Sequence, residues 1–423
     1  MTDTNAEWFE RAKLVVPGGV NSPVRSFRSV GGTPYFVASA EGAYVTDVEG
    51  RRYIDYVQSY GASILGHAHP AVIGAICAAA PQGTTYGAPT EREVLLAEAI
   101  VERIAGVEQV RLVSSGTEAV MSALRLARGA TGRRKIVKFA GHYHGHSDSL
   151  LAAGGSGVAN QGLSGSAGVP DAAVADTVVA PFNVVPDLDD DTAVVVVEPV
   201  AANMGLVEPE PGFLAALRTA CDAHGVLLCF DEVITGFRLA HGGAEEWSGV
   251  RPDLWCFGKV IGGGLPVGAF AGSREVMSHL APLGPVYQAG TLSGNPLATA
   301  AGLAALSLLD RAAYDELVRI ATRLADGLHR AIAAAGLAVQ VPRVGPLVGL
   351  FFAEQPVRTF DDAQAAAGNG RYAPFFHAML RRGVALAPGP YEAIFPSLAH
   401  DDTIVDRTVE IAAEAAAEVA AGS

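Results

Sequence analysis

The chain has 423 residues, of which 50% are hydrophobic and 17% charged, enough to bury a large core divided over two or three domains or sub-domains. A formal net charge of -14 leaves no basic stripe to displace counterions from phosphates, which excludes nucleic acid as a partner. The longest apolar runs are strand length, short of the ~20 residues a membrane helix needs, and MTDTNAEWFERAK lacks a signal pattern, so a soluble cytoplasmic protein off the membrane is expected.

In chain order, residues 1–56 show a short helix and then PYFVASAEGAYVTDVEGRRYIDYV, whose alternation with Gly at the turns predicts an antiparallel meander. Within residues 57–309, helical patterns alternate with the β-branched runs VRLVSS, RKIVKFA, TAVVVVEPV, GVLLCFDEV and DLWCFGK. This predicts an α/β domain with a mainly parallel central sheet. Between the second and third runs, residues 152–169 are rich in Gly, Ser and Ala. A structureless stretch of that length in a compact domain reads as a functional lid rather than a linker. Residues 310–423 read as a smaller α+β unit: an amphipathic helix over 314–335, strands near 339 and 348–352, a helix over 374–382, and an Ala-rich terminal helix that packs. Cys77, Cys221, Cys229 and Cys256 lack any metal or redox spacing and are expected to be reduced.

Three segments carry chemistry. SSGTEA (114–119) follows a strand and opens a helix; its free N–H groups, with Gly116 allowing close approach, suit a phosphate, although Ser115 and Glu118 also have capping-box spacing. Asp231 ends the strand GVLLCF, at the sheet edge where open α/β folds bind ligands, and a carboxylate there can hold a pyridine nitrogen protonated. Lys259 follows DLWCF and precedes three glycines; a lysine kept from water has a lowered pKa suited to Schiff-base chemistry. Phosphate cradle, strand-end Asp and strand-end Lys, in that order, are the contacts pyridoxal 5'-phosphate needs. GTLSGNP (290–296) adds a polar turn before a helix.

SSGTEA, DEVITGFR, FGKVIGGGLPVGA and YQAGTLSGNP together resemble the class III pyridoxal-phosphate enzymes of fold type I. PGGVNSPVRSF (17–27), GHAHP (66–70), HYHGH (142–146), EPVAANMG (198–205) and YEAIFPSLAH (391–400) are similar, within that class, to the glutamate-1-semialdehyde 2,1-aminomutases. The resemblance implies Lys259 as the catalytic Schiff-base lysine and proton shuttle, and Asp231 on the pyridinium nitrogen. It implies Gly116 and Thr117 on the phosphate, Thr291 on the phosphate of the neighbouring subunit of a homodimer, Asn203 near the phenolic oxygen and Tyr143 over the ring. Ser22 and Arg25 are implied for the substrate carboxylate, which a guanidinium fork matches. Tyr60 and Glu392 are implied beside the substrate, and Ser156 in the lid.

The implied activity converts glutamate 1-semialdehyde to 5-aminolevulinate for tetrapyrrole (porphyrin) biosynthesis, with the cofactor cycling through pyridoxamine 5'-phosphate. Transient contact with the upstream glutamyl-tRNA reductase belongs to the same expectation. Tyr60, where the family usually has tryptophan, and the wording around Glu392 keep open an alternative: a class III transaminase using a β- or ω-amino acid and a keto-acid acceptor. The alternating His142, His144 and His146, and His67 with His69, are read as structural or hydrogen-bonding, with no metal.

Overall fold

A computed structural model describes residues 3–152 and 165–422; most of the expected lid, Ser156 included, lies outside the described residues. After a helix over Asn5–Val15, the expected meander forms from β1 (Val37–Glu41), β2 (Tyr44–Asp47) and β3 (Arg52–Asp55), paired antiparallel in that order.

The central sheet is built from β4 (Gln109–Val113), β5 (Lys135–Phe139), β6 (Thr177–Ala180), β7 (Thr192–Val197), β8 (Leu227–Glu232), β9 (Leu254–Phe257) and β10 (Gly268–Gly272). Its order is β4-β10-β9-β8-β7-β5-β6. Pairs from β9 through β6 are parallel, while β10 runs antiparallel to both its neighbours. Every residue of β7 is buried, which is why it reads as a continuous Val run: helices cover both faces of a parallel sheet.

Two strands escape sequence reading. β10 reads GAFAG, without a β-branched residue, because it passes close to the turn before the helix Gly116–Thr131: a Cβ at Gly268 would stand 2.3 Å from the Ser115 carbonyl oxygen. β6 is a short edge strand beyond the Gly/Ser-rich stretch.

The two ends of the chain form one smaller unit. β13 (Val384–Ala385) adds parallel to β3, opposite Ile54 and Asp55. β11 (Arg343–Val344) and β12 (Leu347–Val348) pair as a two-residue ladder, shorter than the strands expected there. The helix Arg311–Ala334 lies against the terminal helix Asp402–Ala421, which buries Val405, Ile411, Ala412, Ala415 and Ala416. An additional helix, Phe360–Gly368, is started by a capping box at Thr359 and Asp362. Among the described residues no helix is long and apolar enough to cross a membrane.

The helix Pro296–Ser307 fixes the turn after β9. At Gly302 the helix backbone crosses that turn so closely that a Cβ would come within 2.0 Å of the Ile261 carbonyl oxygen. Alanine is the better helix former by about 1 kcal/mol, yet here backbone meets backbone and neither can yield. Gly302→Ala is therefore expected to lower Tm, with a stability loss of about 1–3 kcal/mol; a raised Tm in thermal unfolding would contradict this close approach.

Candidate active site

The carboxyl ends of β4, β7, β8 and β9 open on one edge of the sheet, and each has a polar residue at or just past its end. A cavity of about 250 Å³ lies there, lined by Ser115, Gly116, Thr117, Tyr143, His144, Glu198, Asn203, Asp231 and Lys259 among others.

At the β4 side, Ser115 caps the helix Gly116–Thr131, its hydroxyl accepting the Glu118 N–H, while the Glu118 carboxylate takes the Ser114 N–H at 2.6 Å. Capping leaves the helix start available to a ligand, because the N–H groups of Gly116 and Thr117 have no partner inside the helix. The cradle has no room for larger residues. A Cβ at Gly116 would press on Val233 at 3.0 Å, and one at Gly145 would stand 2.5 Å from Thr117 Oγ1.

Asp231 is buried at the end of β8. One oxygen accepts the Val233 N–H at 3.1 Å and the other meets His144 Nδ1 at 2.7 Å. Glu198, one residue past β7, accepts the N–H groups of Tyr143 (2.7 Å) and Ala202 (2.9 Å) and a bond from Asn203. Burial pushes its carboxyl up to about 8.

Lys259 enters at the start of the turn Lys259–Gly262 with φ 46°, a left-handed conformation that strains a side-chain-bearing residue. Burial lowers its pKa, against the pull of Asp231, Glu198 and Glu392. A phosphate-binding helix start, a buried carboxylate and a lysine with a depressed pKa on one small cavity fit pyridoxal phosphate.

Three of the residues expected beside the substrate, Arg25, Tyr60 and Glu392, influence one another electrostatically, and Glu392 acts on Lys259. Gln58, Ser59 and Tyr60 are all left-handed, with φ of 43°, 54° and 55°. Asp55 holds this turn by accepting the N–H groups of Val57 (2.9 Å) and Gln58 (3.1 Å), and His67 clasps the same carboxylate at 2.7 Å. Burial, with Glu392 nearby, raises the Tyr60 phenol, while Arg25 acts in the opposite sense. Tyr60, Arg25, Glu392 and Lys259 are therefore brought together. Ser22 lies just before the short turn Pro23–Ser26, its carbonyl accepting the Arg25 N–H at 3.1 Å.

Thr291 is not brought to this cavity within one chain. It is exposed in a separate depression of about 500 Å³ with Thr85, Tyr86 and Gly87. The histidines hold other groups: His144 meets Asp231, His142 Nδ1 accepts the Glu198 N–H at 3.0 Å, His67 meets Asp55, and His69 caps the helix Pro70–Ala79.

Sequence reasoning missed Glu198 and Arg238 as site residues. Glu198 carries the same signal as Asp231, an acid after an apolar strand. Arg238 is fully buried and donates to the carbonyls of Gly61 (2.9 Å) and Pro396 (3.1 Å), joining the Tyr60 turn to the Glu392 segment.

Glu232, behind Asp231, accepts the N–H of Ala244 at 2.7 Å and the Thr235 hydroxyl at 3.2 Å, and burial pushes it up to about 8. A carboxyl whose pKa is raised by folding stabilises the fold fully below its unfolded value, and that contribution is lost as pH rises through the folded value. Glu232→Gln removes the dependence: Tm of the unmodified chain should fall relative to the variant by about a few °C between about pH 5 and pH 8. Parallel Tm–pH curves would contradict it.

The aminotransferase class-III family profile matches residues 27–415. Glutamate-1-semialdehyde 2,1-aminomutase of Syntrophobacter fumaroxidans is 54% identical over 416 residues, covering 96% of this chain and 96% of that one. An omega-transaminase from Sphaerobacter thermophilus has the same fold at TM-score 0.89 and 34% identity, covering 99% of this chain and 98% of that one. A glutamate-1-semialdehyde-aminomutase from Pseudomonas aeruginosa PAO1, solved also as a variant in complex with PMP, gives TM-score 0.85 and 28% identity, covering 98% and 94%. From the cavity and these matches together, the chain belongs to the class-III aminotransferases, which depend on pyridoxal phosphate, and among them to the glutamate-1-semialdehyde 2,1-aminomutases.

Proposed function

We propose that this chain converts glutamate 1-semialdehyde to 5-aminolevulinate for tetrapyrrole synthesis, an intramolecular amino transfer through 4,5-diaminovalerate that consumes no amino acceptor. The observation that carries the reading is one cavity holding Lys259, Asp231 and the Gly116 helix start, with Arg25, Tyr60 and Glu392 electrostatically linked at its mouth. Pyridoxal phosphate, cycling with pyridoxamine phosphate, supplies an electron sink and an amino group that is lent and taken back.

The remaining tasks fall to side chains. Lys259, with its pKa lowered by burial, takes up and returns the proton at the reacting carbon. Asp231 accepts the ring N–H, and the N–H groups of Gly116 and Thr117 hold the phosphate. Tyr143 and Asn203, which line the cavity, would hold the ring from its face and at its phenolic oxygen. Arg25 offers a bidentate fork to the substrate carboxylate, with Ser22 beside it. Glu392 repels a second carboxylate, favouring a substrate that has only one at its far end.

Thr291 completes the reading through a second subunit. Its depression is lined by the exposed apolar side chains of Tyr86 and Leu292, a surface suited to a homodimer in which Thr291 reaches the phosphate site of the other chain. Hand-over of the reactive aldehyde by transient contact with glutamyl-tRNA reductase in the cytoplasm belongs to the same proposal.

Purified holoenzyme given glutamate 1-semialdehyde and no keto acid should release 5-aminolevulinate. Turnover that appears only on adding pyruvate or 2-oxoglutarate would replace this reading with a β- or ω-amino-acid transaminase, the reaction type of the structurally similar omega-transaminase. Arg25→Lys should raise KM roughly tenfold or more with a smaller change in kcat, since it removes binding made equally in ground and transition states. An unchanged KM would remove Arg25 from the substrate site.

A further inference from the structure

Below the cavity floor lies a buried polar layer to which the amino transfer assigns no task. Lys138 comes from β5, and His142 and His144 from the turn after it; all three are buried. Their hydrogen bonds decide where each ring hydrogen sits. His142 Nδ1 accepts the Glu198 N–H at 3.0 Å, so the neutral ring carries its hydrogen on Nε2 and is a donor there. His144 Nδ1 faces an Asp231 carboxylate oxygen at 2.7 Å. That oxygen accepts, so Nδ1 carries the hydrogen and the neutral ring offers Nε2 as an acceptor. Burial lowers the pKa of both rings, which keeps them neutral.

Neither Nε2 has a partner among the described residues. The ring centroids are 5.8 Å apart, and Lys138, which donates to the Leu150 carbonyl at 3.1 Å, is close enough to act electrostatically on both. One orphan donor and one orphan acceptor on neighbouring buried rings, with an ammonium acting on both, thus form a buried polar spot. Such a spot is a site for an ordered water, which bonds to two to four polar groups.

We propose that His144 is a positioning residue: donors from Lys138 and His142, delivered through a buried water, fix it as the Nδ1–H tautomer, so that Asp231 stays an acceptor aimed at the ring nitrogen of the cofactor. The inference rests on the assignment of Asp231 to that nitrogen. It accounts for two histidines and a buried lysine that touch neither substrate nor phosphate. It also gives HYHGH a function without metal: the second histidine orients the carboxylate and the first supplies a hydrogen to the second.

The test reconstitutes the chain with pyridoxal phosphate labelled with ¹⁵N at the ring nitrogen and reads protonation of that nitrogen by NMR, with cofactor affinity and kcat and KM measured alongside. Asparagine can place an amide N–H where Nδ1–H stands, whereas glutamine reaches only toward Nε2. His144→Asn should retain the protonated-nitrogen signal and kcat within a few-fold. His144→Gln and His144→Ala should shift the signal toward the unprotonated form, lower kcat at least tenfold and leave KM nearly unchanged. Lys138→Met, which leaves the His144–Asp231 contact in place, should produce the same shift to a smaller degree. Equal behaviour of the Asn and Gln variants, or a signal unmoved in Lys138→Met and His144→Gln, overturns the proposal. An unprotonated nitrogen in the unmodified holoenzyme, unchanged by Asp231→Asn, would instead remove the assignment of Asp231 on which it rests.

Discussion

A carboxylate buried at the end of a strand is tolerated only when its oxygens are occupied, and the site is arranged around that requirement at Asp231. One oxygen is occupied by the backbone two residues on, the other by His144. The edge that holds it also carries Glu198 and Glu232, both raised by burial to about 8. Asp231 and Glu198, at the ends of two adjacent strands, and Glu392 draw the pKa of Lys259 upward, while burial works in the other direction and prevails. A lysine able to give up its proton beside acids that resist ionising is the arrangement acid–base chemistry requires.

Asp231, Lys259 and the Gly116 helix start were legible because each lies at or just past the end of a strand that announces itself by apolar composition. Where a residue's task depends on a partner far along the chain, the sequence is silent. His144 reads as one of several alternating histidines, and its partner lies 87 positions away. The left-handed run at Gln58, Ser59 and Tyr60 is equally hidden, since only Gly61 after it suggests a turn; Asp55 and His67 hold it from either side. β10 stayed invisible for the opposite reason. Its small residues answer to the close approach of Ser115 rather than to β propensity.

Arg238 shows how the mouth and the floor are made one object. A guanidinium fully enclosed, with two carbonyl partners and the Phe395 ring 5.4 Å away, ties the strained Tyr60 turn to the segment bearing Glu392. Burial brings it down to about 10, so it remains a cation at neutral pH and opposes the acids that face Lys259. The same segment is bound a second time where the Phe395 N–H donates to the Tyr56 carbonyl at 2.9 Å. The turn bearing Tyr60 and the segment bearing Glu392 are therefore tied together at two points.

The parallel pairing of β13 with β3 has a consequence for the order in which this frame is assembled. The helix start, Asp231 and Lys259 all precede residue 310, whereas β13 and the Glu392 segment leave the ribosome after them. A nascent chain thus has Ser22, Arg25 and Tyr60 first, then the helix start, Asp231 and Lys259, and gains Glu392 only near its end. Closing β3 against β13 joins residues at opposite ends of the chain, the kind of distant contact that slows folding. The central sheet is complete in the chain before that last strand arrives, so the frame that joins the two ends is the last part to close.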